Sequence, residues 1–294
     1  HCILIVCITL SSISSFDIDE AKKYHEKEIT KVYYQLPDGC TKDIEAQRWT
    51  GLYEEPQLRC ISKGHGTAKV LLIGNSFGYR TFPVLHKLFN GRYAEFRLFT
   101  KSQRMFLNRD PKDNEFKYAE AVKELIRKSK PDIVFVIEKD MKADQNKAFT
   151  RLENDEILMY SQRGVNFLSE NAKTVVIDDQ YYKPNLGKGI AAIINDRLNN
   201  GKKSLSDFDD LRISRSKYRE DYKFNILRFN ALTGANVVKN RVQEQLCENE
   251  YCYFFNPENL HAYYGDGENH QTTEMIKKLE HGYKEIIEEL LKHF

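Results

Sequence analysis

The chain has 294 residues, room for one large domain or two small ones. Its 45 Lys and Arg against 43 Asp and Glu leave a formal charge of +2, which argues against a nucleic-acid binder with a dedicated basic face. A hydrophobic fraction of 41% supplies a full core, yet no run approaches the roughly 20 apolar residues that span a bilayer. The same composition excludes collagen-like, coiled-coil and wholly disordered chains.

In chain order, the first residue is His1 rather than Met, so the chain reads as either a fragment or the product of a trimmed gene model. Residues 3–10 (ILIVCITL) are apolar and are followed by a small polar stretch. Residues 1–15 are therefore read as a truncated signal sequence or the last turns of a membrane helix. Residues 16–52 are highly charged and are expected to form an exposed spacer and lead-in, leaving 53–294 as the main domain. Outside the leader, four cysteines remain: Cys40, Cys60, Cys247 and Cys252. All four are read as disulfide cysteines, with Cys247 and Cys252 a local pair, and this favours an extracytoplasmic location. Their spacing is poor for zinc, so no metal is expected.

Residues 69–74 (KVLLIG) form an apolar, β-branched run ending in glycine, the pattern of a buried parallel strand. A helix is predicted over 82–89, a strand over 95–99, a helix over 116–128 and a strand over 132–137. A helix over 156–170 and a strand over 173–177 continue the alternation. Residues 183–210 are expected to be a surface excursion, 221–232 a helix and 253–255 a short fifth strand. An amphipathic helix over 272–291 closes the chain. This order predicts an α/β fold, a mostly parallel sheet covered by helices on both faces. Ligands bind such sheets beyond the carboxyl ends of the strands, so chemistry is expected just after Gly74, Phe99, Ile137 and Ile177.

Gly74-Asn75-Ser76 follows the first of these strands. A serine on a strand-to-helix turn exposes its hydroxyl beside a helix N-terminus, as a nucleophile requires; it can equally be a helix cap. His270 stands in an acidic, glycine-rich loop (YYGDGENHQT, 263–272) just before the last helix, placed for a base oriented by a carboxylate. Residues 212–223 are basic but interleaved with acids, the pattern of a solvated helix face.

With Gly74-Asn75-Ser76 near one end and His270-Gln271-Thr272 near the other, the sequence resembles the SGNH hydrolase superfamily. More narrowly, it resembles the SGNH domain at the C-terminus of acyltransferase-3-type membrane proteins, especially nematode ones. Lys130-Pro131-Asp132, the Cys247/Cys252 pair and the Tyr263-Tyr264 loop fit the same pattern, and the likeness covers about 53–294. It implies a three-layer α/β/α sandwich of flavodoxin-like SGNH type. It makes Ser76 the nucleophile and His270 its general base.

The family's acid lies three residues before the histidine, where this chain has Gly267. Asp266 and Glu268 flank that position, and Asp266 is taken as the catalytic acid. Gly74, Asn75, the Ser76 N–H and Ser102 of the 101–105 loop are expected around the oxyanion or substrate. The family's third block carries an Asn; here Glu138-Lys139-Asp140 follows the third strand, and Lys139 is either its cationic substitute or a solvated strand-end lysine. Asp178, Asp179, Tyr181 and Tyr182 are candidates to line a sugar-accommodating cleft.

The activity so implied is serine-dependent O-acyl transfer, with acetyl as the expected group, to a carbohydrate or other hydroxyl acceptor. The acyl donor would arrive through a membrane acyltransferase domain, and no cofactor or nucleic acid is expected. A secreted carbohydrate or lipid esterase and a catalytically inactive binding domain are the alternatives.

Overall fold

The computed structural model describes residues 16–30, 36–52, 59–107, 116–140, 144–179, 186, 188–267 and 270–294. The apolar leader, Tyr181, Tyr182 and Glu268 lie outside the described residues. Four strands foreseen from apolar runs are present: β3 (Lys69–Gly74), β4 (Glu95–Thr100), β5 (Ile133–Ile137) and β6 (Thr174–Asp178). They pair in parallel in the order β4-β3-β5-β6. The sheet continues on one side as β2 (Arg59–Lys63) and β1 (Thr41–Lys42), both antiparallel. On the other side it ends in β8 (Val237–Asn240), parallel to β6.

The period of two along each strand sorts side chains into two cores. Val70, Leu72, Phe96, Leu98, Ile133, Phe135 and Ile137 face one layer of helices. That layer holds α1 (Ile18–Thr30), α3 (Ser76–Phe89), α6 (Ile190–Asn199) and α9 (Thr273–Leu291). Leu71, Ile73, Phe99, Val134, Val136, Val175 and Ile177 face the other. It holds α2 (Ile44–Thr50), α4 (Phe116–Ser129), α5 (Glu156–Asn171) and α8 (Lys223–Ala231). The result is the three-layer α/β/α sandwich. No helix among the described residues is long and apolar enough to cross a membrane.

Several expectations are corrected. The stretch read as an exposed spacer contains α1, whose Ala21, His25 and Glu28 lie on one helical face and are buried. The excursion at 183–210 contains α6, whose Ile190, Ala191, Ile194 and Leu198 form a buried stripe against the sheet and α1. The fifth parallel strand is β8, not 253–255. Residues 251–253 form β10 (Tyr251–Tyr253) of a separate small sheet, with β7 (Arg212–Ser214) and β9 (Cys247–Glu248). The helix expected over 221–232 is present as α8, and a separate short helix, α7 (Arg215–Asp221), precedes it across Tyr222. Helix α3 begins at Ser76 rather than at residue 82 and carries Pro83 inside it.

Both disulfides are formed, Cys40–Cys60 and Cys247–Cys252. The second joins directly paired positions of β9 and β10.

Candidate active site

The site is built at the carboxyl end of β3. Gly74 has φ +144, and a Cβ there would stand 1.9 Å from the Ile137 carbonyl oxygen, so only glycine lets β3 and β5 close together at this point. Its N–H donates to Tyr118 Oη at 3.1 Å inside the core, so Gly74 serves by shape and not as the expected oxyanion donor. Asn75 caps α3: its Oδ1 accepts from the Phe77 N–H at 3.2 Å. The same oxygen accepts from the Lys139 N–H at 3.3 Å, while Nδ2 donates to the Lys139 carbonyl at 2.8 Å. The Asn75 side chain is fully buried and spent on tying β3 to the end of β5, which corrects its reading as an oxyanion or substrate group.

Ser76 is therefore the first residue of α3 and half-buried, with its backbone N–H among the first-turn donors an α-helix leaves without an intrahelical partner. Its Oγ lies 2.8 Å from His270 Nε2. His270 Nδ1 lies 2.7 Å from Asp266 Oδ2, and the His270 backbone N–H donates to Asp266 Oδ1 at 3.1 Å. With a carboxylate accepting at Nδ1, the proton sits there and Nε2 offers its lone pair to the serine hydroxyl. The loop is closed by the Gly265 N–H to the His270 carbonyl (2.9 Å) and by the Thr272 N–H to the Tyr263 carbonyl (3.0 Å). Thr272 then caps α9.

Burial alone would raise the Asp266 carboxyl. The hydrogen bonds and charge of His270, with the nearby Arg80, outweigh it and hold the group well below the usual carboxylate range. Arg80 is nearly buried. Its Nη2 is 3.4 Å from Asp266 Oδ2 and its Nη1 donates to the Gln271 carbonyl at 3.0 Å. Sequence reasoning missed this residue. It stands four positions after Ser76, hence on the same helical face, a signal that appears only once α3 is known to begin at Ser76.

Lys139 is buried, with Nζ 5.1 Å from the centre of the Phe77 ring and 6.0 Å from that of Tyr264. It is thus not a solvated strand-end lysine, and its Nζ sits against the Phe77 ring, which lies tilted beside His270 (Phe77 to His270 centroids, 5.4 Å). Glu138 shapes the loop after β4, its carboxylate accepting from the Phe106 and Leu107 N–H groups at 2.7 and 2.9 Å. Within that loop Ser102 sits in a turn closed by the Arg104 N–H to the Lys101 carbonyl (3.0 Å), with Gln103 at φ +59. Ser102 is not hydrogen-bonded to Ser76 or His270.

Asp178 lines a small pocket with Met105, Ser161 and Arg228, while Asp178 and Asp179 are both tied into the fold by hydrogen bonds. Asp178 accepts from Tyr283 Oη and Asn240 Nδ2, and Asp179 accepts from the Gln243 N–H. Both are buried, and burial pushes the Asp179 carboxyl well up. Gly267 is exposed with open space around it, and the carboxylate that meets His270 Nδ1 is that of the preceding residue. Among the described residues, no group of three or more His, Cys, Asp or Glu gathers as metal ligands would.

The family model for the SGNH domain fused to AT3 domains matches residues 40–285. The chain belongs to this SGNH family. Among solved structures, the lipopolysaccharide acetyltransferase periplasmic domain of Salmonella ser. Paratyphi A aligns with a TM-score of 0.53 at 13% identity, covering 94% of this chain and 98% of that one. A putative acylhydrolase from Bacteroides fragilis aligns at 0.39 and 13% identity, covering 78% and 91% of the two chains. A catalytic mutant of the acetylxylan esterase Axe2 from Geobacillus stearothermophilus aligns at 0.38 and 14%, covering 76% and 96%. No curated protein sequence matches the chain significantly.

Proposed function

We propose that this SGNH domain is a serine-dependent O-acyltransferase that moves a short acyl group, acetyl first among candidates, to a carbohydrate or other hydroxyl acceptor. The observation that carries this reading is the unbroken relay Ser76–His270–Asp266. In the first half-reaction Ser76 Oγ attacks the donor carbonyl and His270 Nε2 takes the hydroxyl proton. The Ser76 N–H at the start of α3 faces the developing oxyanion. The tetrahedral centre collapses, the bond to the leaving group breaks, and His270 returns the proton to it, leaving an acyl ester on Ser76. In the second half-reaction an acceptor hydroxyl gives its proton to Nε2 and attacks that ester, and the proton then returns to Ser76.

The family's fusion to AT3 domains supports a donor delivered from a membrane partner. The likeness to a periplasmic acetyltransferase domain and the two disulfides support an extracytoplasmic site of action. Hydrolysis uses the same residues with water as acceptor. The inactive-domain reading rested on Gly267; the Asp266 carboxylate at His270 Nδ1 supports the active reading instead.

The full chain, expressed with disulfides formed, is to be treated with a fluorophosphonate probe and assayed on p-nitrophenyl acetate beside Ser76→Ala. Labelling and turnover that vanish in Ser76→Ala are expected, with a rate loss of at least about 10³-fold. Adding oligosaccharide acceptors then separates transfer from hydrolysis by the mass of the product. A folded protein that neither labels nor turns over would overturn the enzymatic reading.

A further inference from the structure

We propose that α1, which contributes no reacting group, is a positioning element for the relay, acting through Tyr24 and Glu28 on the loop that carries Asp266 and His270. The inference rests on the functional reading above, because it assigns α1 to the same site. The contacts are polar and run along the whole approach to the loop. His25 Nε2 donates to the Leu260 carbonyl at 3.0 Å. Tyr24 Oη donates to the Ala262 carbonyl and accepts from the Glu274 N–H, each at 3.2 Å. Glu28 Oε1 accepts from Thr273 Oγ1 at 2.5 Å. The His261 ring stacks on Tyr24, centroids 3.9 Å apart and 6° from parallel, with its Nε2 2.6 Å from Glu20 Oε2.

These bonds fall on both flanks of the catalytic loop: residues 260–262 lead into it and 273–274 lead out. Leu260 has φ +62, a backbone conformation that a bulky side chain adopts only when its surroundings over-determine it. The bond from His25 fixes the carbonyl of that same residue. Nearer the chemistry, a Cβ at Gly265 would stand 3.9 Å from the Glu28 carbonyl oxygen, so α1 runs directly beside the residue preceding the catalytic acid.

Helix α6, packed on α1, braces the same segment. Its Ala191 N–H donates to the Tyr264 carbonyl at 3.1 Å. A Cβ at Gly189 would reach within 2.3 Å of the Gly265 carbonyl oxygen, so the start of α6 lies flat on the loop backbone. Arg80 holds the loop from α3. The loop that carries Asp266 and His270 is thus held from α3, from α1 and from α6. Because a displacement of about 1 Å costs a relay of this kind roughly 100-fold, loss of one support is expected to lower kcat before it unfolds the protein.

The test uses the full chain, with Tyr24→Phe/Glu28→Ala as the disrupting pair and Glu28→Gln as the conservative variant. The pair is expected to lower kcat on p-nitrophenyl acetate about tenfold with KM within about twofold. Glu28→Gln, whose amide oxygen still accepts from Thr273, is expected to stay within about twofold of the parent. Backbone amide hydrogen exchange at 262–272 is expected to quicken about tenfold or more in the pair while the amides of β3 and β5 keep their protection. Unchanged loop exchange, or exchange that rises equally across the sheet, overturns the positioning role. If the parent chain itself fails to label at Ser76, the functional reading falls instead, and the exchange result alone decides whether α1 sets the loop.

Discussion

Asp266 lies four residues before His270, and this spacing lets one carboxylate do two tasks. Its Oδ2 meets the imidazole at Nδ1 and its Oδ1 accepts the backbone N–H of the same histidine. Ring orientation and loop closure are thereby coupled in a single side chain. Asp266→Asn keeps the size but can present an amide N–H to Nδ1, favouring the tautomer in which Nε2 carries the proton and can no longer accept one. A fall of about 10⁴-fold in kcat is expected, as for the same change in a serine protease. Glu268→Gln is expected to stay near the parent rate, because Nδ1 already has its acceptor. The reverse ranking of the two variants would make Glu268 the acid. Since the Asp266 carboxyl is held well below its ordinary range, it stays ionised above about pH 4. Any acid loss of rate between pH 7 and 5 therefore belongs to another group.

Among the elements, α1 has the most unusual buried face: Ala21, His25 and Glu28 in place of an apolar stripe. Burial pushes the His25 imidazole down to about 4, overcoming the hydrogen bond to Leu260 that favours the charged form. A histidine near its ordinary value of 6.5 when unfolded contributes stability above that pH and loses it as the pH falls toward 4. The loss amounts to about 3 kcal/mol for a shift of this size. His261 opposes it: burial lowers its value, but the bonds to Glu274 and Glu20 raise it above normal, so its contribution is present in acid and lost as the pH rises. His25→Gln is accordingly expected to flatten the drop in Tm between pH 6.5 and 4, and His261→Gln to steepen it. Thermal melts at pH 4.5 and 7 check this; pH profiles parallel to the parent's would refute it. The same polar face explains why the sequence hid α1: its partners, Leu260, Ala262 and Thr273, lie more than 200 residues away along the chain. Strands β3 and β5 were legible because a strand buried on both faces reads as an unbroken apolar run. Strand β8 was not, since Val237 and Val238 are its apolar residues and it lies half-covered at the sheet edge. Ser76 and His270 were legible from their places before two helices and from the family likeness. Glu138 was not, because what it organises is the backbone of Phe106 and Leu107.

At the scale of the whole molecule, the relay joins residues 194 positions apart, so its geometry is set by the packing of α3 against α9 across one core. The ion pair between these helices, Lys87–Glu280, and the pair Arg92–Glu288 just beyond the end of α3 are exposed and add little, leaving the apolar contacts of Phe82, Phe89, Leu279 and Tyr283 to hold the two halves together. Covalent links act on the same assembly from outside the site. Cys40–Cys60 closes a separation of 20 residues and Cys247–Cys252 one of 5. By loop-closure entropy the first is worth about 3 kcal/mol and the second about 2. Neither disulfide contributes an atom to the hydrogen bonds of Ser76, His270, Asp266 or Arg80. Cys40→Ser/Cys60→Ser is therefore expected to lower Tm by roughly 6–12 °C, given about 2–4 °C per kcal/mol in a chain of this size, with a smaller drop for Cys247→Ser/Cys252→Ser. In both variants kcat at 25 °C is expected to equal the parent's while the protein remains folded. A folded Cys40/Cys60 variant with normal near-ultraviolet circular dichroism but depressed kcat would show instead that the edge of the sheet, through β2 and β4, helps to set the catalytic loops.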